Sequence, residues 1–195
     1  MAVAAQLVAP QTLTYKDYLS EGVVYGRYDI IDGVRLFMPN PTPLHQEIAM
    51  TISEALRAYQ RRTRRGRTFI APRDVLVSIN PIRTRQPDVL FISNERIGGQ
   101  PLSDPAPFAQ SPELVVEVLS ESDTRQMRLA KIRDFCDVGV NECWLVSPEG
   151  ETVEVLRLTP DGPERAALYA AGETLQSITF PDLTLALDDI FRIEE

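Results

Sequence analysis

The run Leu114-Val115-Val116-Glu117-Val118-Leu119 constrains this chain more than any other stretch. Five apolar residues of six mark it as the most buried strand of the fold, and Glu117 sits inside it. A carboxylate there must be paired, hydrogen-bonded or metal-bound, because bare burial of the charge is very costly. Asp88 raises the same problem at the head of a second apolar run, Val89-Leu-Phe-Ile92, directly after Pro87. If neighbouring strands bring Asp88 and Glu117 together, they form a hard oxygen site suited to Mg²⁺ or Mn²⁺, and the ion relieves their mutual repulsion. Metal-assisted phosphodiester hydrolysis is the chemistry such a pair suggests first.

Lys131 is the third element. It lies four residues after Met127 and four before Phe135, so on a helix it shares a face with two apolar side chains. A lysine on that line either snorkels or meets a buried acid, and Glu117 on the preceding strand is the acid to meet. Near a metal its ammonium can orient the attacking water and stabilise charge on phosphorus. On spacing alone a second reading stands beside this one: Glu117 and Lys131 form a structural salt bridge, and Asp88 is a strand-edge residue.

The remaining pattern describes a mixed α/β, or α+β, domain around one central sheet. Thr14 N-caps a short helix, and Tyr28 to Met38 reads as a hairpin turning at Asp32-Gly33. A long helix is expected from Leu44 to Arg65, with Ile48, Ile52, Ala55, Leu56 and Tyr59 on one stripe and Gly66 as its C-terminal cap. Strands follow at Phe69-Ile70, Val75–Ile79 and Val89–Ile92, then an irregular loop from Pro101 to Pro112 whose mobility can govern substrate access. Helix Thr124–Val138 ends at Gly139, and strands at 143–146, 152–158, 165–169 and 177–180 precede a last turn that Asp188 can N-cap.

Length and a 44% hydrophobic composition suit a single domain over 1–195, with its core at about 12–191. The apolar runs are far shorter than the roughly 20 residues a membrane helix needs, and no signal-peptide pattern precedes them, so a cytoplasmic protein with no membrane partner is expected. Cys136 and Cys143 are too few for a disulfide framework and read as buried thiols. A formal charge of −8 argues against a protein that coats nucleic acid nonspecifically. Local positive charge comes from Arg57, Arg61, Arg62, Arg64, Arg65 and Arg67. Arg57, Arg61, Arg64 and Arg65 can align along a helix to track a DNA backbone, or simply solvate its surface. His45, the only histidine, stands at the start of the long helix, where it either caps and packs or assists the chemistry.

Taken in order, Tyr28-Asp-Ile-Ile-Asp-Gly33, Pro43-Leu-His45, Gln86-Pro-Asp88, Val-Val-Glu117-Val-Leu-Ser120, Lys131 and Gly139-Val-Asn-Glu-Cys-Trp-Leu-Val146-Ser-Pro148 resemble the Uma-type family. Members of that family are described as restriction endonucleases of the PD-(D/E)XK nuclease-like superfamily, and the resemblance runs from about Thr12 to Phe191. It implies a restriction-endonuclease-like central mixed sheet flanked by helices, with extra C-terminal strands. It also implies a metal-dependent endonuclease acting on DNA through Mg²⁺ or Mn²⁺. Asp88 and Glu117 then become the metal ligands, joined by the backbone carbonyl of Val118, with Lys131 as the catalytic lysine. Leu119 fills the superfamily's usual lysine position, which makes Lys131 the relocated one. Asp29 stands where the family commonly has glutamate, and it joins His45 as an auxiliary site residue. Met127 replaces an acid one turn before the lysine. A homodimer is a further expectation, because cutting both strands favours a symmetric pair. The rival is a non-catalytic module for binding nucleic acid or protein on the same fold, supported by the net negative charge and the altered positions 29 and 127.

Overall fold

Leu114–Val118 lies at the heart of the molecule and is buried at all five positions. The computed structural model describes residues 12–22, 24–120 and 123–192. An N-terminal segment carries α1 (Tyr15–Ser20), the hairpin β1 (Tyr28–Ile31) and β2 (Val34–Phe37), and the long α2 (Pro43–Thr63). Next come β3 (Gly66–Ile70), β4 (Val75–Ile79), β5 (Ile82–Arg85), β6 (Val89–Ser93), the short α3 (Asn94–Ile97) and β7 (Leu114–Val118). Helix α4 (Arg125–Asp137) leads to β8 (Glu142–Ser147), β9 (Thr152–Thr159) and β10 (Gly162–Tyr169), and β11 (Thr174–Gln176), β12 (Thr184–Ala186) and α5 (Leu187–Phe191) close the chain.

Six strands form a mixed sheet in the order β10-β9-β8-β7-β6-β3. The pairing of β7 with β8 is parallel, which requires a crossover, and α4 provides it. Side chains alternate between faces along each strand. Val89, Phe91, Val116, Val118, Trp144 and Val146 meet the α2 stripe of Ile48, Ile52, Leu56 and Tyr59 together with α5. Leu90, Ile92, Val115, Cys143 and Leu145 meet Ile132, Phe135 and Cys136 of α4. Among the described residues no helix is long and apolar enough to cross a membrane.

The expected single sheet is joined by a second, antiparallel one, β2-β1-β5-β4. Its strand β5, Ile-Arg-Thr-Arg, lacks an apolar signature because two arginines supply its packing through ion pairs. The Asp32-Gly33 turn is as expected, with φ of 51° and 81° in the left-handed region that a tight hairpin needs. Thr14 and Thr124 cap α1 and α4 through their side chains, and the Gly139 N–H bonds the Cys136 carbonyl just past the end of α4.

Four local expectations are corrected. Helix α2 ends on Arg64, which takes the left-handed conformation (φ 56°) and donates its N–H to the Gln60 carbonyl. Gly66 instead opens β3, where a Cβ would lie 2.3 Å from the Ile92 carbonyl oxygen. Residues 177–180 form no strand, because their backbone wraps the buried carboxylate of Glu142. Asp188 lies inside the first turn of α5, which has no side-chain cap, and it accepts from the Gly172 N–H. The loop from Pro101 to Pro112 is irregular yet held: Arg73 bonds the Ala106 carbonyl and stacks on the buried Phe108 ring.

Candidate functional site

Pro87 determines how the acid site begins. It has no N–H, and the ladder between β6 and β7 ends at the Val89–Val116 pair. The Val118 N–H, beyond that last rung, goes instead to the Asp88 side chain, at 2.7 Å from Oδ2. Asp88 thus stands beside Glu117 at the open end of two central strands, with only 4% of its surface exposed. Asp88 and Glu117 come together as the sequence led us to expect.

Asp88 carries its charge on good terms. Arg27 donates to Oδ1 at 2.5 Å, and His45 Nε2 lies 3.5 Å from Oδ2. Burial alone would raise the Asp88 pKa, but His45, Arg27 and Lys131 outweigh it and hold the carboxyl below its ordinary value. Burial pulls the His45 imidazole the other way, and bonding to Asp88 and to the Val118 carbonyl more than compensates, so its pKa is raised. His45 therefore belongs to the acid site as well as to the start of α2.

Glu117 is held differently. Lys131 Nζ lies 2.7 Å from Oε2, while Oε1 is buried and has no hydrogen-bond partner among the described residues. Burial pushes the Glu117 carboxyl up to about 7, Lys131 opposes the rise, and the Asp88 charge adds to it. Burial works against the Lys131 ammonium, but the neighbouring Glu117 and Asp29 charges prevail and raise its pKa. Lys131 also reaches the Gln86 carbonyl at 3.3 Å. It meets the acid without the flanking apolar line expected of it, since Met127 is 50% exposed while Phe135 is fully buried.

A comparison within the molecule gives the unpartnered oxygen its meaning. Glu142 is buried even more completely, yet both of its oxygens are satisfied. Trp144 Nε1 (2.6 Å) and the Ile178 N–H (3.2 Å) donate to Oε1, and Ser177 Oγ (2.7 Å) and the Thr179 N–H (2.8 Å) donate to Oε2. Glu142 is an acid used for structure. Glu117 keeps one oxygen in reserve.

Asp29 lies one step outside the pair. It accepts from Arg85 (2.8 Å) and from the Gln86 N–H (3.0 Å). Arg85 also binds Asp134 of α4 at 2.6 Å, and Arg83 links Asp134 to Asp32 at 2.8 Å on each side. This chain of charges fastens the smaller sheet to α4 beneath Lys131. Gln86 is a second anchor: its side chain accepts from the Tyr28 N–H and donates to Asp74, which the Tyr18 hydroxyl also binds. Arg27 and Arg85 were not foreseen, because an arginine outside a motif gives no local sign that its partner is a distant buried acid.

The arginine cluster lies elsewhere. Arg61 follows His45 by sixteen residues on α2, which places it about 24 Å farther along the axis. Arg57, Arg61, Arg64 and Arg65 are exposed. Arg65 and Arg62 are drawn to Asp182, at 3.2 and 3.8 Å. The cluster and the acid pair therefore occupy opposite ends of the helix.

Asp88, Glu117 and the Val118 carbonyl offer only hard oxygen donors. Two carboxylates suit Mg²⁺, which commonly completes its shell with water and substrate phosphate. The described residues contain no cluster of three or more His, Cys, Asp or Glu side chains able to hold a metal on their own. The reserved Glu117 oxygen fits an ion whose remaining ligands come from outside the protein.

No curated protein matches the chain. The crystal structure of a "putative nuclease" from Anabaena variabilis matches with a TM-score of 0.75 at 20% identity, over 92% of this chain and 97% of that one. At that identity the match speaks for the shared fold. A family model described as "Putative restriction endonuclease" matches residues 25–188, from just before β1 into α5. By that match the chain belongs to the Uma2 family.

Proposed function

We propose that this protein is a metal-dependent endonuclease that hydrolyses DNA phosphodiester bonds at Asp88, Glu117 and Lys131. The observation that carries this reading is the buried Glu117 oxygen without a partner, set beside a second carboxylate and a lysine. Asp88, Glu117 and the Val118 carbonyl would hold Mg²⁺ or Mn²⁺. Bound there, the ion would supply a lowered pKa for water and positive charge against the phosphate.

The chain's own groups divide the rest of the work. Two N–H donors of Lys131 serve Glu117 and Gln86, which leaves the third for the attacking water or a phosphate oxygen. Val118 and His45 fix the plane of the Asp88 carboxylate from one side. Asp29 acts through Arg85 and the Gln86 backbone, so it is a positioning residue.

Calorimetric titration of Mn²⁺ into the wild type and Glu117→Gln tests the site, with melting curves to establish that both are folded. Binding by the wild type alone, together with cleavage of plasmid DNA that Asp88→Ala abolishes, is the expected result. Equal binding by the two proteins, or none, would leave Glu117 a structural acid. One observation favours the rival, a non-catalytic binding module on the same fold: both Asp88 oxygens already have partners. Unaltered partner binding and no cleavage in an Asp88→Ala/Glu117→Ala variant with wild-type melting behaviour would establish that role.

A further inference from the structure

Among the described residues, Arg27 is the one cation of the acid site that comes from outside both the central sheet and its helices. It precedes β1, and its backbone is fixed because its carbonyl accepts the Met38 N–H at 2.9 Å. The guanidinium extends from that anchor to Asp88 Oδ1 at 2.5 Å and to the Gln86 carbonyl at 2.9 Å. Its Nε is buried without a hydrogen-bond partner among the described residues. About a fifth of the side chain (21%) remains exposed, slightly more than that of Lys131 (17%).

Charge makes this position consequential. Asp88 and Glu117 face Arg27 and Lys131, with His45 beside Asp88, so with both acids ionised and the imidazole neutral the four charges balance. A divalent ion added to that set leaves an excess of two positive charges and competes with Arg27 for the same carboxylate. A phosphate diester brings one negative charge back, and a planar guanidinium is well shaped to bind its oxygens. Because the backbone of Arg27 is held, the exchange needs only side-chain rotations.

We infer that Arg27 is the site's resident counter-cation: it occupies Asp88 in the metal-free protein, gives that carboxylate up to the divalent ion, and binds the phosphate of the substrate. The inference rests on the metal-site reading above and adds an order to it, in which metal and nucleic acid assist each other's binding. Arg27 then opposes metal binding in the absence of DNA and promotes DNA binding in the presence of metal. A purely structural ion pair would oppose metal binding too, but it would not promote DNA binding.

The test measures Mn²⁺ affinity by calorimetry, without nucleic acid, in the wild type, Arg27→Gln, Arg27→Lys and Glu117→Gln. It also measures the affinity of a short DNA duplex in Ca²⁺ by fluorescence anisotropy across a salt series, for the wild type and the two Arg27 variants. Melting curves establish that each variant is folded, and the charge-conserving Arg27→Lys serves if Arg27→Gln is not. We expect Arg27→Gln to bind Mn²⁺ about tenfold more tightly and the duplex about tenfold more weakly. Its salt slope should fall by about one, the signature of a lost phosphate contact. Arg27→Lys, with its charge but not its fork, should bind the duplex less tightly than the wild type and keep the wild-type salt slope. Unchanged or weaker Mn²⁺ binding in Arg27→Gln, or duplex binding by Arg27→Lys as tight as that of the wild type, with Mn²⁺ binding lost in Glu117→Gln, would overturn the inference and leave the metal site standing. No Mn²⁺ binding in either the wild type or the Arg27 variants would remove the metal site, and the inference with it.

Discussion

Glu142 offers the sharpest test of the distinction between an acid used for structure and one held for chemistry. Replacement by alanine strands four donors. Trp144 Nε1 and the Ser177 hydroxyl are almost wholly inaccessible to water, so each loses its acceptor at about 1–3 kcal/mol. The Ile178 and Thr179 N–H groups are partly buried and can recruit water, so they add less. With the space left behind, Glu142→Ala should cost about 4 kcal/mol. Glu142→Gln is more informative because its volume is unchanged. One carboxylate oxygen becomes an NH₂ group, and Trp144 Nε1 cannot accept from it. The amide must therefore turn its nitrogen toward Ser177, whose hydroxyl can accept, and the Ser177 O–H and the Thr179 N–H both lose this acceptor. That should cost about 2 kcal/mol. For a chain of this size these values correspond to melting-point falls of roughly 8–16 °C and 4–8 °C, measurable by circular dichroism. A Glu142→Gln protein that melts with the wild type would refute the reasoning, since it would mean that the four donors do not depend on this carboxylate.

Three further outcomes follow from the packing and the charge network. Gly66→Ala should destabilise by about 2 kcal/mol in urea unfolding, because the new methyl group meets the Ile92 carbonyl and the Phe91 ring and no glycine-only backbone angle is involved. Arg85→Lys should cost about 3 kcal/mol by the same assay despite its unchanged charge, since a single ammonium cannot bridge Asp29 and Asp134 as the guanidinium does. Asp74 has a raised pKa, chiefly from burial, so it binds a proton more readily folded than unfolded. Wild-type stability should therefore fall relative to Asp74→Asn as pH rises from the ordinary carboxylate value through the raised one, and the gap should then stay constant. Melting the pair across an acid pH series checks this; a gap that widens toward low pH would reverse the assignment.

Features written locally in the chain were legible: the Thr14 and Thr124 caps, the Asp32-Gly33 turn, the α2 stripe and the two acids within apolar runs. So was the encounter of Lys131 with Glu117, because a crossover helix packs back on the sheet of the strand before it and Lys131 shares its face with the buried Phe135. Features that depend on a distant partner were not. β5 reads as polar until Asp29 and Asp134 are known to receive its arginine. Residues 177–180 look like a strand until Glu142 claims their N–H groups, and Gly66 looks like a helix cap until β6 is laid against it. Arg27 lies in a stretch without periodicity, and only the folded arrangement brings it to Asp88.

The convergence of side chains on the Gln86 carbonyl also bears on how the protein matures. Arg27 reaches that oxygen from 59 residues earlier in the chain, and Lys131 from 45 residues later. Such contacts close large loops, so they form late and together with the register of the whole sheet. A nascent or partly unfolded chain can present the acids, but not the acids, the lysine and the arginine in one place. If the site cuts nucleic acid, it is armed only by completion of the fold, so a damaged or unfinished copy is inert rather than indiscriminate.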